Sequence, residues 1–109
     1  SFVFSAEHPV FTAEGSQQWI RGDAGEPLHW PVDNYYIEGK RSAVFLGEPV
    51  AKYHRTLTAY VNGLLAAGFE ITGLVEPQPE AALLDTVPGM RDELRRPMML
   101  ILSAVRKQA

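Results

Sequence analysis

The sequence predicts an α/β domain in which one amphipathic helix connects two buried strands. Apolar residues recur at helical spacing from Leu57 to Leu65, and strand-like runs lie on either side, at Phe2–Ser5 and Phe69–Glu76. A further run, Met98–Ala104, is uninterrupted and apolar, which is typical of a strand in the middle of a sheet covered on both faces. A strand, a helix and a second strand in this order indicate a crossover unit of an α/β sheet.

The composition is that of one ordinary globular domain. The chain has 109 residues, of which 46% are hydrophobic and 21% are charged, and its formal net charge is −3. Folding of a chain of this length buries roughly 65% of the surface exposed in the unfolded state, which suffices for a core. The sequence contains no cysteine, which excludes disulfides, thiolate zinc sites, iron–sulfur clusters and cysteine nucleophiles.

The charge balance and the apolar runs argue against two classes of partner. Ten Lys and Arg residues against thirteen Asp and Glu residues do not suggest a nucleic-acid surface. The runs Met98–Leu102 and Leu64–Ala67 are far shorter than the roughly 18 residues of a membrane span. Residues 1–11 have no basic segment before their apolar stretch, so no secretory signal is visible. We therefore expect a cytoplasmic protein that binds neither nucleic acid nor membrane.

The chain opens almost directly in its first strand. Phe2–Ser5 follows a single residue, and Glu7-His8-Pro9 ends the strand because proline lacks a backbone donor. Val10–Thr12 is interpreted as a short extended piece. A buried strand at the first residues needs a neighbouring strand, so we expect the chain to be part of a longer protein. The alternative is a short protein whose initiator methionine was removed.

Residues 13–54 are predicted to form a loop and hairpin excursion. The first part, residues 13–31, is rich in glycine and proline and contains Trp19 and Trp30, which we expect to pack over a groove or a partner. Asn34–Ile37 and Ser42–Leu46 are predicted to pair as a hairpin, with Gly39 in its turn.

Signals for individual elements are clearer in the second half of the chain. A third extended piece is predicted at Val50–His54, before the helix. Thr56 is the predicted N-cap of the helix and Gly68 ends it. Short helices are predicted at residues 80–85 and 90–95. The charge run there indicates a solvated helical face; it consists of Arg91, Asp92, Glu93, Arg95 and Arg96.

Several short motifs occur together in a recognisable order. They are Phe2-Val3-Phe4-Ser5 before Glu7-His8-Pro9-Val10-Phe11, Tyr53-His54-Arg55-Thr56, Leu65-Ala66-Ala67-Gly68-Phe69, Glu76-Pro77-Gln78-Pro79, and Leu94-Arg95-Arg96-Pro97 before Met98-Met99-Leu100. Over essentially the whole chain, their order resembles the C-terminal part of class I S-adenosylmethionine-dependent methyltransferases of the small-molecule type.

This resemblance implies a fold and a set of partners. The fold is the C-terminal portion of a Rossmann-like methyltransferase sheet: strand, hairpin excursion, helix, strand, short helices and a final antiparallel strand. The resemblance implies S-adenosylmethionine as the cofactor of the parent enzyme and a small-molecule methyl acceptor as its partner. The family's glycine-rich turn after its first strand has no counterpart here, because no G-x-G follows a strand. We therefore expect no cofactor binding by this chain alone.

Two histidines are the candidate catalytic residues. His8 follows a strand that the resemblance ends at the carboxyl edge of the sheet, where an imidazole can orient an acceptor or take its proton. His54 precedes a helix N-terminus, a position that often faces a pocket. The alternatives are that His8 stabilises a rigid turn and that His54 satisfies loop carbonyls.

Aromatic residues are the candidates for binding the acceptor. Trp19, Trp30 and Tyr35 are predicted to line an apolar pocket, with Tyr53 and Arg55 beside His54. Alternatively, the aromatic residues form the excursion's own small core. Only one of Tyr35 and Tyr36 is expected to face inward. The three histidines lie too far apart in sequence for a recognisable metal site, and none is expected.

Three hypotheses for function follow. The first is the acceptor-side segment of a small-molecule methyltransferase, inactive alone because the cofactor-binding half is absent. The second is a stand-alone α+β ligand-binding or dimerisation module. The third, a small hydrolase or isomerase using His8 or His54, depends only on the presence of histidine. The apolar strand Phe2–Ser5 also predicts self-association of the chain.

Overall fold

A computed structural model of the chain describes residues 1–14, 16–45 and 47–107. The strands are β1 (Phe2–Glu7), β2 (Ile20–Arg21), β3 (Pro27–His29), β4 (Gly39–Phe45), β5 (Glu48–His54), β6 (Phe69–Val75) and β7 (Met99–Arg106). The α-helices are α1 (Pro9–Thr12) and α2 (Leu57–Ala66), and two 3-10 helices cover Ala81–Leu83 and Met90–Arg95. These elements confirm the predicted α/β class, the main helix, its flanking strands and both short helices.

The main sheet has three strands in the order β1-β7-β6. Both outer strands run antiparallel to β7, so β1 and β6 are parallel and α2 is part of the crossover between them. This order confirms that the last strand lies in the middle of the sheet. A β-bulge in β6 shifts the register between Ile71 and Gly73, where a Cβ on Gly73 would lie 2.8 Å from Ser103 Oγ.

The core lies on one face of this sheet. Leu100, Leu102 and Ala104 alternate along β7 and are buried, as the period of two requires. Phe4 lies opposite Leu102 and its ring is 5.6 Å from that of Tyr60 on α2, which places the helix over this face.

Residues on the other face are less covered than the sequence predicted. In β7, Met99, Ile101 and Val105 are only half-buried, and Val3 on β1 is 69% exposed. The expectation of burial on both faces is therefore wrong for the described part of this chain, because α2 packs on one side only.

Helix α2 begins and ends where its sequence signals indicate. The Thr56 hydroxyl accepts from the backbone N–H of Ala59 at 3.1 Å, and Gly68 adopts a φ of 91° after the last turn. Two excursion residues add to the N-terminal cap: the Tyr35 hydroxyl accepts from the Leu57 N–H, and Glu38 accepts from the Thr56 N–H.

Residues after β1 form a helix where an extended piece was predicted. Pro9 occupies the first helical position of α1, where its missing N–H costs nothing, and His8 caps the helix through its ring. The prediction for Val10–Thr12 was wrong because proline was interpreted only as a strand terminator.

The hairpin exists, but one segment later than predicted. β4 pairs with β5, from Gly39 opposite His54 to Phe45 opposite Glu48, so the extended piece at residues 50–54 is a hairpin strand. Asn34–Ile37 instead forms a turn, with the Ile37 N–H donating to the Asn34 carbonyl. Gly39, with a φ of 127°, begins β4, whereas Gly47, with a φ of 80°, lies between the two strands. The predicted strand Ser42–Leu46 extends to a residue outside the described ranges.

Among the described residues of 13–31, which are predicted to be irregular, the regular elements are the short strands β2 and β3. The ladders β2-β3 and β4-β5 are separate two-stranded sheets, and neither joins the main sheet in the described part of the chain. Within the described ranges, no helix has the length and apolar character needed to cross a membrane.

Candidate functional site

The carboxyl ends of the two parallel strands bring together His8 and Glu76. His8 follows β1 and Glu76 follows β6, and His8 Nε2 lies 2.5 Å from Glu76 Oε2. Ligands of open α/β sheets bind outside the carboxyl ends of their strands. This edge is therefore the candidate site.

The hydrogen bonds of His8 assign its tautomer. Its Nδ1 accepts from the Val10 N–H at 3.0 Å as the N-cap of α1, so Nδ1 carries no proton. The ring proton is then on Nε2, which donates to Glu76. His8 is 5% exposed, whereas the Glu76 side chain is 51% exposed. The buried imidazole orients a carboxylate that faces solvent.

A cleft opens beside Glu76. Its polar part, about 320 Å³, includes Glu76, Arg95 and Arg96 in its lining. Its apolar part, about 460 Å³, includes Met90 and Met98. The two parts share the lining residues Pro77, Gln78 and Glu93. The cleft thus places an apolar surface next to an oriented carboxylate, which is the usual composition of a small-molecule site.

Two arginines that line the polar part belong to an aromatic–arginine cluster, which consists of Phe11, Trp19, Trp30, Arg95 and Arg96. The Trp30 ring stacks on Phe11 with centroids 4.9 Å apart and meets Trp19 edge-on at 5.4 Å. The Arg96 guanidinium lies 4.3 Å from the Trp30 centroid, and that of Arg95 lies 4.6 Å from Trp19. Cation–π contacts of this kind stabilise a desolvated guanidinium. Both tryptophans predicted to line the pocket therefore contact arginines that line the cleft.

Arg96 is buried, so the prediction that the charge run from Arg91 to Arg96 forms a solvated face is wrong for this residue. It is 9% exposed and makes a two-fold contact with Glu93, at 2.7 and 3.2 Å. Its Nε has no hydrogen-bond partner among the described residues. The aromatic rings cover the guanidinium and Glu93 balances its charge, which together make burial possible.

His54 does not line the cleft, and instead forms hydrogen bonds to two other segments of the chain. It is fully buried, with Nδ1 2.7 Å from the Thr12 hydroxyl and Nε2 2.7 Å from the Tyr35 carbonyl. A carbonyl only accepts, so Nε2 carries the proton and Nδ1 accepts from Thr12. Both ring nitrogens are engaged, and the catalytic role predicted for His54 requires one of these bonds to open.

The other predicted binding residues lie elsewhere. Tyr35 is half-buried and supports α2 through its hydroxyl, while Tyr36 is 88% exposed, so one of the pair faces inward as expected. Tyr53 is 63% exposed. Arg55 lines a separate groove between β1 and α2. Their roles in acceptor binding stay predictions that the cleft geometry does not support.

Sequence reasoning missed Glu76 as a functional residue. Its partner His8 is 68 positions away, so no local spacing connects them. The available signal was positional, because Glu76 ends the second of two parallel strands. In the described part of the chain, no group of three or more His, Cys, Asp or Glu residues is placed to hold a metal.

Comparison with known proteins yields similarity both to a protein sequence and to solved structures. No family model matches the chain. An uncharacterized protein of Haemophilus influenzae is 29% identical, in an alignment covering 95% of this chain and 41% of that protein.

The solved structures are closer. One is a crystal structure from Listeria monocytogenes, described as a candidate S-adenosylmethionine-dependent methyltransferase, which is 53% identical in sequence with a TM-score of 0.89. The match covers 98% of this chain and 48% of the Listeria chain. Another is an S-adenosylmethionine-dependent methyltransferase from Mesorhizobium loti, which is 39% identical with a TM-score of 0.80, and the match covers 96% of this chain and 48% of the Mesorhizobium chain. The chain spans less than half the length of these relatives. Both likenesses confirm the resemblance drawn from the motifs.

Proposed function

We propose that this chain, which has the fold of the C-terminal part of an S-adenosylmethionine-dependent methyltransferase, forms the acceptor side of such an enzyme and binds a small-molecule methyl acceptor. The observation that carries the proposal is the cleft at the carboxyl ends of β1 and β6, beside the His8–Glu76 pair. Strand order and sequence identity to the Listeria protein support the family, and the cleft supports the role.

The described residues do not fit a site for the cofactor itself. β1 ends in Glu7-His8-Pro9, where a buried imidazole and a proline begin α1, and β6 ends in Glu76-Pro77. A cofactor cradle after a strand needs a glycine-rich turn that lets the backbone approach the ligand. The proposal therefore assigns this chain the acceptor alone.

The chain's own contribution to methyl transfer is positioning and exclusion of water. Displacement at a methyl carbon gains most from holding the acceptor in line and removing its solvent. Met90 and Met98 present apolar surface along the cleft, while Glu76 offers one fixed polar contact. Cation–π contacts within the aromatic–arginine cluster hold Arg95 and Arg96, which line the polar part.

Calorimetry with S-adenosylmethionine tests this assignment. We expect no binding by the 109-residue chain at micromolar concentrations. A chimera in which this chain replaces the matching half of the Listeria protein should bind the cofactor, with the Listeria protein as the positive control.

Micromolar binding by the chain alone would contradict the acceptor-only assignment. A folded chimera that binds no cofactor would favour the second hypothesis, a stand-alone ligand-binding module.

A further inference from the structure

We propose that Glu76 is the residue that contacts the acceptor, that His8 positions it, and that the cleft takes an organic amine with an apolar body. The link to methyl transfer rests on the proposed function, whereas the amine site itself does not. A solvent-facing carboxylate accepts charge-assisted hydrogen bonds from ligands that carry an ammonium group or an amine N–H.

The charges lining the polar part of the cleft leave Glu76 as the uncompensated group. Glu93 is paired with Arg96 at 2.7 Å. Arg95 is paired with Asp92 at 3.0 Å. Glu76 contacts only the imidazole of His8 among the described residues, and a ring that accepts at Nδ1 carries one proton and no charge. Asp92 pairs with Arg95 from outside the lining, so three carboxylates stand against two guanidinium groups and the net charge near the polar part is negative.

The geometry leaves one carboxylate oxygen for a ligand. Oε2 of Glu76 accepts a hydrogen bond from the Nε2–H of His8, while Oε1 has no hydrogen-bond partner in the ranges that the structure describes. The side chain is half-exposed and lines the cleft, so Oε1 is open to an incoming donor. His8 is buried and fixed by its contact with Val10, so it restricts the rotation of Glu76.

The neighbouring apolar part indicates what accompanies the amine. Pro77 and Gln78 line both parts, and the apolar part continues to Met90 and Met98. Its volume of about 460 Å³ accommodates a phenyl or short alkyl group. Methionine side chains adapt to irregular apolar ligands. A cationic head and an apolar body are the complementary chemistry.

An NMR titration tests the amine site. Benzylammonium chloride is the probe and benzyl alcohol, which has the same ring and no charge, is the matched ligand. We expect benzylammonium to bind about tenfold more tightly than the alcohol, because its bond to Glu76 is charge-assisted. The preference should decrease as salt screens the carboxylate.

Carboxylate substitutions identify the residue that binds. Glu76→Gln should reduce benzylammonium affinity about tenfold, to that of the alcohol. Glu70→Gln removes the same charge from an exposed position on β6, the strand that Glu76 follows, and should leave the affinity unchanged. Equal affinity for the two probes, or equal effects of the two substitutions, would overturn the proposal, as would a failure of both probes to bind. The amide spectrum verifies that each variant is folded.

Two substitutions of His8 separate its cap from its contact with Glu76. Asparagine places an acceptor near the Nδ1 position and retains the cap on Val10, but it cannot reach Glu76. Glutamine places a donor near the Nε2 position and loses the cap. His8→Asn should lower benzylammonium affinity severalfold while its Tm stays above that of His8→Gln, whereas His8→Gln should retain affinity in spite of its lower Tm.

A purely structural role for His8 predicts that affinity follows the Tm in both variants, which would refute the positioning role. Because these titrations contain no cofactor, their outcome is independent of the calorimetry that tests the methyltransferase assignment. The titration with benzylammonium tests the amine site, and cofactor binding by the chimera tests the methyltransferase role.

Discussion

Replacement of His54 should destabilise the fold rather than remove a chemical group from the cleft. Its two ring nitrogens bond the Thr12 hydroxyl and the Tyr35 carbonyl, both at 2.7 Å, inside a site with no exposed surface. His54→Ala removes both bonds and leaves a cavity. This prediction opposes the catalytic role that the sequence suggested for His54.

The contacts set the size of the effect. An unsatisfied buried carbonyl such as that of Tyr35 costs about 1–2 kcal/mol. Thr12 has an alternative acceptor, the Pro9 carbonyl at 3.5 Å, so its loss is at the low end, about 1 kcal/mol. The vacated ring volume adds about 2 kcal/mol. The expected loss is therefore about 4 kcal/mol, a large part of the roughly 5–15 kcal/mol that stabilises a domain.

Urea denaturation followed by tryptophan fluorescence measures this loss. Two conservative variants provide controls: His54→Asn retains an acceptor for Thr12, and His54→Gln retains a donor for the Tyr35 carbonyl, so each should lose about half as much as alanine. A cycle with Thr12→Val should show coupling of about 0.5–3 kcal/mol between the two residues.

An alanine variant as stable as the unsubstituted protein would refute the reasoning. The same holds for a stable, folded His54→Asn variant of the methyltransferase chimera that binds acceptor yet transfers no methyl group. That second result would restore the catalytic role.

Two further predictions concern the buried arginine and the edge of the sheet. Arg96→Lys should lower the free energy of unfolding, measured by urea denaturation, by about 1–2 kcal/mol, because lysine cannot hold Glu93 at two points while stacking on an indole ring. The control is Arg91→Lys, in an ion pair with Asp85 whose side chains are 63% and 75% exposed, and it should change the free energy of unfolding by less than about 0.5 kcal/mol. Equal losses in the two variants would contradict the role of the cluster. The chain should self-associate in sedimentation velocity through β1, because β1 exposes Val3 and, among the described residues, pairs with β7 on one side only. Val3→Lys should return it to a monomer, and a monomeric unsubstituted chain at high concentration would refute this prediction.

Local signals predicted the elements whose stabilising contacts are themselves local. Helix α2 has its cap, apolar face and terminal glycine within one segment, from Thr56 to Gly68, so both of its ends can be predicted from the sequence. The apolar run of β7 likewise indicated a central strand. The hairpin was misplaced because Gly39 and Gly47 are equivalent turn signals, and the pairing of β4 with β5 chooses between them.

The candidate site was less accessible to sequence reasoning because its contacts join distant residues. His8 was identified by its place after a strand, but Glu76 lies 68 residues away and the pairing becomes visible only once β1 and β6 are parallel. Arg96 was assigned to solvent because charged residues surround it in sequence. Its aromatic partners come from the excursion, 66 or more residues earlier.

The β-bulge between Ile71 and Gly73 leaves Thr72 as an extra residue of β6, because Ile71 lies opposite Ala104 and Gly73 lies opposite Ser103. Residues opposite each other in a ladder share a face of the sheet, so the bulge keeps the rest of β6 in phase with β7 while it bends the strand. Deleting the extra residue would straighten β6 and shift its end, and with it Glu76, relative to His8. The close approach of Gly73 to Ser103 lies at this bend, three residues before Glu76.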